Sequence, residues 1–216
     1  MIHKATRSRR VAPSTVRRLS LYLGFLEQRR QDGAATVPSR ALAEAGGATP
    51  AQVRKDLSFF GSFGRRGVGY PVAPLAERVR AILGLDRGHR VVVVGAGPLG
   101  AALAPGAGWR ERGFEVAAVY DLDPARIGTA QGGLVVRDAA RLEADLAGRP
   151  ADIGVVGVPV EAAQGVADRL VRAGVRALLN LAPVHLDVPS GVAVTQVNLA
   201  LELDALAFAI RAGGRK

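Results

Sequence analysis

At 216 residues the chain has room for one large domain or two small ones, and either arrangement can bury a sizeable core. It contains no cysteine, which excludes disulfides, thiolate zinc sites, iron–sulfur clusters and cysteine nucleophiles, so any redox role falls to a bound cofactor. The formal net charge of +10 is unevenly spread: residues 1–84 hold fifteen Lys and Arg against five Asp and Glu, whereas residues 85–216 hold fourteen of each.

Such asymmetry between halves points to a nucleic-acid-binding part joined to something else. Residues 1–12, with Arg7, Arg9 and Arg10, read as a solvated, disordered basic arm. The arm lacks the apolar centre of a secretory signal, and no run approaches the roughly 18 apolar residues of a membrane span. A cytoplasmic protein with no membrane partner is the expectation. From Ser14 to about Arg30, Val16, Leu19, Leu23 and Leu26 recur on one helical face. Ser39 can cap a short helix, Arg40–Ala45, that stops at Gly46-Gly47. Thr49-Pro-Ala-Gln52 then combines a capping box with proline at the first helical position, and this helix runs to about Phe60. Short helix, glycine turn, well-capped helix is the helix-turn-helix arrangement.

On the second of these helices Val53, Leu57 and Phe60 share the core side, while Ala51, Lys55, Ser58 and Phe59 point outward, flanked by Gln52 and Arg54. Small residues allow close approach, and Lys, Arg and Gln suit base edges and phosphates in a major groove. The candidate DNA-contacting residues here are Ser39, Gln52, Arg54, Lys55 and Ser58. Gln52, as a capping-box partner, is equally suited to its own backbone. Asp56, near the core edge, should pair with a neighbouring Arg. Gly61–Tyr70 is glycine-rich with Arg65 and Arg66 at its tip, which suits the wing of a winged helix entering a minor groove, or a mobile surface hairpin. A connecting helix, Pro74–Leu83, leads to Gly84–Gly88, which marks the end of a DNA-binding domain over residues 1–84.

Val91–Val94 is a buried-type strand running straight into Gly95-Ala-Gly-Pro-Leu-Gly100 and a helix through Ala101–Ala104. In G-x-G-x-x-G, Gly95 permits the tight turn, Gly97 bares the backbone to a pyrophosphate, and Gly100 lets the helix lie close to the strand. Pro98 suits the first helical turn. A second strand, Glu115–Tyr120, ends at Asp121, about the 20 residues on at which an acidic group accepts hydrogen bonds from an adenosine ribose. That residue repels a 2′-phosphate, so NAD(H) is favoured over NADP(H). The same glycine turn also occurs in α/β sheets that bind nothing.

Strands at Leu134–Val136, Ile153–Val158, Arg176–Leu181 and Val192–Val197 alternate with helices at Ala139–Leu146 and Glu161–Ala173, a doubly wound parallel sheet over residues 85–198. Ligands in such sheets bind beyond the carboxyl ends of strands, so Gly157-Val158-Pro159 and Asn180-Leu181-Ala182-Pro183 should line the pocket around the far half of the dinucleotide, joining Gly95, Ala96, Gly97, Pro98, Leu99, Gly100 and Asp121 as candidate cofactor residues. Each of those later segments is also an ordinary strand-ending turn. The final helix, Leu199–Arg211, carries two apolar stripes, Leu199/Leu203/Leu206/Ile210 and Leu201/Ala205/Phe208. A helix apolar nearly all round must be enclosed, and a second subunit is the more plausible cover. A two-fold dimer would set two reading helices against a palindromic site.

These residues together resemble the Rex family of bacterial redox-sensing transcriptional repressors, over nearly the whole chain from about Val11. The most specific match is Gln52-Val-Arg-Lys-Asp-Leu-Ser-Phe-Phe-Gly61 continuing through Arg66-Gly-Val-Gly-Tyr70. The glycine motif, Tyr120-Asp121-Leu-Asp123-Pro124, Val158-Pro159 and Asn180-Leu-Ala-Pro183 match in order, which adds Asp123 to the cofactor set. The resemblance implies an α/β homodimer with N-terminal winged helices, Rossmann domains and a final helix (residues 199–216 with its tail) swapped between subunits. It implies binding to double-stranded operator DNA that NADH relieves while NAD+ opposes that effect. Relatives also carry an Arg–Asp–Tyr relay and a Phe near the nicotinamide; this chain has Gly24, Asn198 and Gly106 at the relay positions and Leu199 at the Phe position, which implies a weakened NADH response. Two other readings stand beside it. An NAD-dependent oxidoreductase needs a proton donor; past residue 85 the chain offers only His89, His185 and Lys216, and no Ser-x-x-x-Lys pair or metal cluster. A DNA-binding architectural protein would use its second domain only to dimerise.

Overall fold

Leu19, Tyr22, Leu23 and Leu26 recur at three- and four-residue spacing and are fully buried on one face of α1 (Pro13–Gln31). Each such leucine contributes on the order of 2 kcal/mol through burial. The computed structural model describes residues 11–64, 67–103 and 107–213, and the chain divides into two compact units, Met1–Arg87 and Gly88–Lys216. In unit 1, α1 is followed by β1 (Thr36–Val37), α2 (Ser39–Ala45), α3 (Pro50–Ser58), β2 (Tyr70–Pro71) and α4 (Val72–Ile82). The long helices α1 and α4 pack together through Leu19, Leu23, Leu26, Val72, Leu75, Ala76 and Val79, with a Glu27–Arg80 ion pair at the margin. The connecting helix therefore belongs to the core and starts at Val72, ahead of the expected Pro74. Pro74 falls in the first turn, where helix N–H groups have no intrahelical acceptor and a missing one costs little.

The reading helix is shorter than expected, α3 ending at Ser58 with Phe59 as its cap. Thr49 Oγ accepts from the Gln52 N–H at 3.1 Å, the first half of the capping box. The second half is not made, because the Gln52 amide donates to Asp56 Oδ1 at 2.8 Å instead. Nor does Ser39 cap α2: Pro38 holds the cap position in extended backbone and Ser39 is the first helical residue. β2 closes the glycine-rich segment by pairing antiparallel with β1, Val37 opposite Tyr70. Helix, strand, two helices at a turn, then a strand returning to the first is the winged-helix order. Arg65 and Arg66 at the wing tip, and the arm up to Arg10, lie outside the described residues.

Unit 2 opens with β3 (His89–Val94), α5 (Pro98–Ala102), α6 (Ala107–Glu111), β4 (Phe114–Asp121), β5 (Ala130–Gln131), β6 (Leu134–Asp138) and α7 (Leu142–Ala147). It continues with β7 (Ile153–Val156), α8 (Val160–Arg172), β8 (Ala177–Asn180), β9 (Ala193–Gln196) and α9 (Leu199–Gly213). The sheet order is β5-β6-β4-β3-β7-β8-β9, with every pairing parallel except β5–β6. Taken alone, the six parallel strands run third, second, first, fourth, fifth, sixth, the doubly wound dinucleotide-binding order. One face of the sheet, with Val92, Val94, Tyr120 and Val156, is covered by Leu142 and Leu146 of α7 and by Ala163, Val166, Ala167 and Leu170 of α8. On the other face Val91, Val93, Val116, Ile153, Val155 and Leu179 line an apolar groove of about 290 Å³, rimmed by Leu103, Trp109 and Phe114. The helix after the glycine motif spans Pro98–Ala102, and the expected end at Ala104 lies outside the described residues. α9 leaves both of its apolar stripes uncovered, Phe208 at 74% and Ile210 at 76% exposure. Asn198 caps it, its Oδ1 accepting from the Ala200 N–H at 3.0 Å.

Candidate nucleic-acid interface and nucleotide cleft

The outward face of α3 is built on a buried charge cluster. Asp56, 4% exposed, receives Arg18 Nε at 2.6 Å and Arg18 Nη2 at 2.7 Å. The Tyr22 hydroxyl donates to it at 3.2 Å, the Gln52 amide at 2.8 Å and the Thr15 hydroxyl at 3.4 Å. Burial pushes the Asp56 carboxyl up, but the Arg18 and Gln52 hydrogen bonds with the Arg18 charge outweigh it and hold it below the usual carboxylate range. Burial, with the Asp56 charge second, pushes the Tyr22 hydroxyl up to about 12, so it stays a donor. This cluster locks α3 to α1 and draws Gln52 inward, away from the exposed face.

With that side anchored, Arg54, Lys55 and Ser58 stand exposed together. Arg54 Nη1 lies 3.4 Å from Ser39 Oγ, which ties the start of α2 to the same face, and Ser58 Oγ turns back to the Lys55 carbonyl at 2.9 Å. A concavity of about 870 Å³ adjoins it, lined by Ser39, Arg54, Ser58 and the glycine-rich stretches 61–64 and 67–70. Two cations beside a concave, glycine-lined surface suit a phosphate backbone and the base edges beside it.

In unit 2 the glycine motif forms the strand-to-helix turn at the carboxyl end of β3. Gly95 has φ +112°, and a Cβ there would lie 2.2 Å from the Gly157 carbonyl oxygen. A Cβ on Gly100 would lie 1.8 Å from the Gly95 carbonyl oxygen, so both positions exclude a side chain on packing grounds. At Gly97 the nearest atom to such a Cβ is Arg126 Nη1, at 3.2 Å, and the backbone is otherwise bare. Asp121, 7% exposed, fastens the turn: Oδ2 accepts from the Ala96 N–H at 2.6 Å and Oδ1 from the Asp123 N–H at 2.8 Å. Asp123 in turn accepts from the Ala125 N–H at 2.9 Å.

The resulting cleft, about 560 Å³, brings together Gly95, Gly97, Pro98, Leu99, Asp121, Asp123, Val158 and Pro159 with Leu122, Arg126, Gly157 and Ala162. Gly157 was expected there from the sequence; Leu122, Arg126 and Ala162 were missed. Asn180, Leu181, Ala182 and Pro183 do not line it, and Ala96 and Gly100 lie in its glycine turn without lining it. Asn180 is fully buried and spends both ends of its amide on its own turn, Nδ2 to the Val184 carbonyl at 2.7 Å and Oδ1 from the Ala182 N–H at 3.0 Å.

Residues 86–184 match a family model described as a CoA binding domain, and residues 10–58 one described as a putative DNA-binding protein N-terminus. The chain is 48% identical over 204 residues to a redox-sensing transcriptional repressor Rex of Streptomyces avermitilis, covering 94% of this chain and 81% of that one. Among solved structures, RSP in complex with β-NAD+ and operator DNA is 35% identical with a TM-score of 0.88, covering 95% of this chain and 94% of that one. RSP in complex with β-NADH is 33% identical with a TM-score of 0.85, covering 94% and 96%. No helix among the described residues is long and apolar enough to cross a membrane. A buried-anchored recognition helix and a bare glycine cleft in one chain, with such identity over nearly its full length, place the protein in the Rex family of redox-sensing transcriptional repressors.

Proposed function

We propose that this chain is a homodimeric repressor that holds palindromic operator DNA through unit 1 and reads the NADH/NAD+ ratio through unit 2, NADH loosening its grip. One observation carries the reading: a single chain pairs an exposed basic recognition face with a glycine cleft whose floor no side chain fills. That RSP has been seen with NAD+ and operator DNA, and with NADH, supports both ligands. In the cleft, residues Gly95 to Gly100 receive the pyrophosphate, Asp121 and Asp123 face the adenosine ribose, and Val158 and Pro159 flank the nicotinamide half. Asn180 shapes the turn after β8. The cofactor is a signal and is not consumed, so the chain is not an enzyme. Acting on operator DNA, it works in the cytoplasm. The uncovered stripes of α9 and the open apolar groove on the sheet are alike in chemistry, and α9 seats on the partner subunit's groove.

In unit 1, Arg54 and Lys55 carry DNA affinity, with Ser39 and Ser58 beside them and Arg65 and Arg66 reaching from the wing. Lys55→Ala is expected to weaken specific operator binding by about 1–3 kcal/mol, the loss of a base-edge contact. Arg54→Ala is expected to weaken all sequences alike and to lower the salt slope by about 1, as for a phosphate contact. Fluorescence anisotropy over a salt series reads both. Unchanged binding in the two variants would move the DNA-reading face elsewhere.

A further inference from the structure

A dinucleotide's pyrophosphate brings two negative charges, which many folds meet with the aligned peptide dipoles of a long helix. Here the helix behind the glycine motif, α5, is only five residues long, so little dipole stands behind the phosphates. Among the described residues that line the cleft there is one cation, Arg126. It sits on the turn after β4, its backbone N–H donating to the Asp123 carbonyl at 3.0 Å. Its Nε lies 3.5 Å from Asp123 Oδ2, which orients the guanidinium over the glycine loop, while the side chain stays 42% exposed. Nη1 lies 3.2 Å from the point that a Cβ on Gly97 would occupy. The guanidinium thus stands on the open side of the very glycine whose bare backbone a pyrophosphate approaches. The pair with Asp123 is long and half-solvated, worth little by itself, and leaves N–H donors free to fork onto phosphate oxygens. The ribose end of the cleft, by contrast, presents the carboxylates of Asp121 and Asp123, which repel a 2′-phosphate.

We propose that Arg126 is the pyrophosphate-binding cation of this cleft, a role that rests on the NAD(H) reading. Arg126 closes over the diphosphate from the β4 side, supplying the positive charge that a five-residue helix does not. Asp123 acts as its positioning residue. The test is isothermal titration of wild-type protein, Arg126→Ala and Arg126→Lys with NADH, ADP-ribose and NADPH. Circular dichroism confirms that the variants of this half-exposed side chain fold. Arg126→Ala is expected to weaken NADH and ADP-ribose alike, by about ten- to hundredfold, the range of one charge-assisted hydrogen-bonded contact. Arg126→Lys recovers part of the loss, because a point charge replaces the planar fork. Undiminished NADH binding by Arg126→Ala overturns the proposal, as does a loss confined to NADPH, which would make Arg126 a 2′-phosphate reader. A loss with NADH but none with ADP-ribose also overturns it, by moving Arg126 to the nicotinamide half. Wild-type protein that binds neither NADH nor ADP-ribose would instead bring down the NAD(H) reading itself.

Discussion

Asp56→Ala is expected to destabilise the DNA-binding unit by about 3 kcal/mol, because it strips the partner from a buried charge. The carboxylate is shared by Arg18, Tyr22 and Gln52, and its removal leaves the buried Tyr22 hydroxyl without an acceptor. The Arg18 side chain is 20% exposed and can partly rehydrate, which puts the cost at the low end of that for broken buried pairs. Because α3 is tied to α1 through this cluster, operator affinity should fall with stability, although Asp56 faces away from DNA. The pH dependence has a defined sign. The Asp56 carboxyl titrates below its ordinary value, so its contribution is present above about pH 4 and is lost as pH falls through the folded value. The variant should lack that acid-side slope. Trp109, the chain's one tryptophan, lies in unit 2, so peptide-resolved hydrogen exchange is the suitable readout. Unchanged protection of α3 in the variant would show that the cluster does not anchor the reading helix.

Gly100→Ala should abolish NADH binding. The new methyl would lie 1.8 Å from the Gly95 carbonyl oxygen, a backbone atom that cannot swing aside. Gly95 is itself fixed by its N–H to the Tyr120 carbonyl at 2.7 Å and by a backbone angle that only glycine adopts readily. The helix must therefore lift from the strand, displacing Gly97 and Pro98, at a cost of about 1–3 kcal/mol in unit 2. Trp109 fluorescence during urea denaturation reports the stability, and calorimetric titration the binding. Wild-type affinity for NADH in this variant would show that the glycine turn is not the cofactor's seat.

Much of this was legible because local chemistry decides it. Four valines at positions 91–94 make a strand wherever a sheet is available, Pro98 opens α5 as expected, and Thr49 caps α3. What escaped depends on distance or on competing partners. Asp56 was expected to pair with a nearby Arg, but its partner is Arg18, 38 positions away, set by how α1 crosses α3. That same crossing takes Gln52 from its capping role. The short strand β5 was missed although Gly132-Gly133, both at positive φ, is a hairpin signal that could have been read. Arg126 was overlooked because its relation to Gly97 exists only once β4 lies beside β3, although its spacing of three from Asp123 was visible. Asn180 lies at a strand end, as expected, but its amide is consumed by its own turn before any ligand arrives.

The most direct test of the account is operator affinity measured by fluorescence anisotropy, with and without saturating NADH, at fixed salt. NADH can shift the protein from the DNA-holding state only by binding the two states unequally. The family resemblance sets Gly24, Asn198 and Gly106 (the last outside the described residues) at the positions of a charged relay, and with Asn198 spent on capping α9 that inequality should be modest. NADH is expected to weaken operator binding by a factor below about ten, or about 1.4 kcal/mol, and NAD+ to cause no such loss. Operator affinity that is unchanged or tightened by NADH, in protein that demonstrably binds it, would contradict the account.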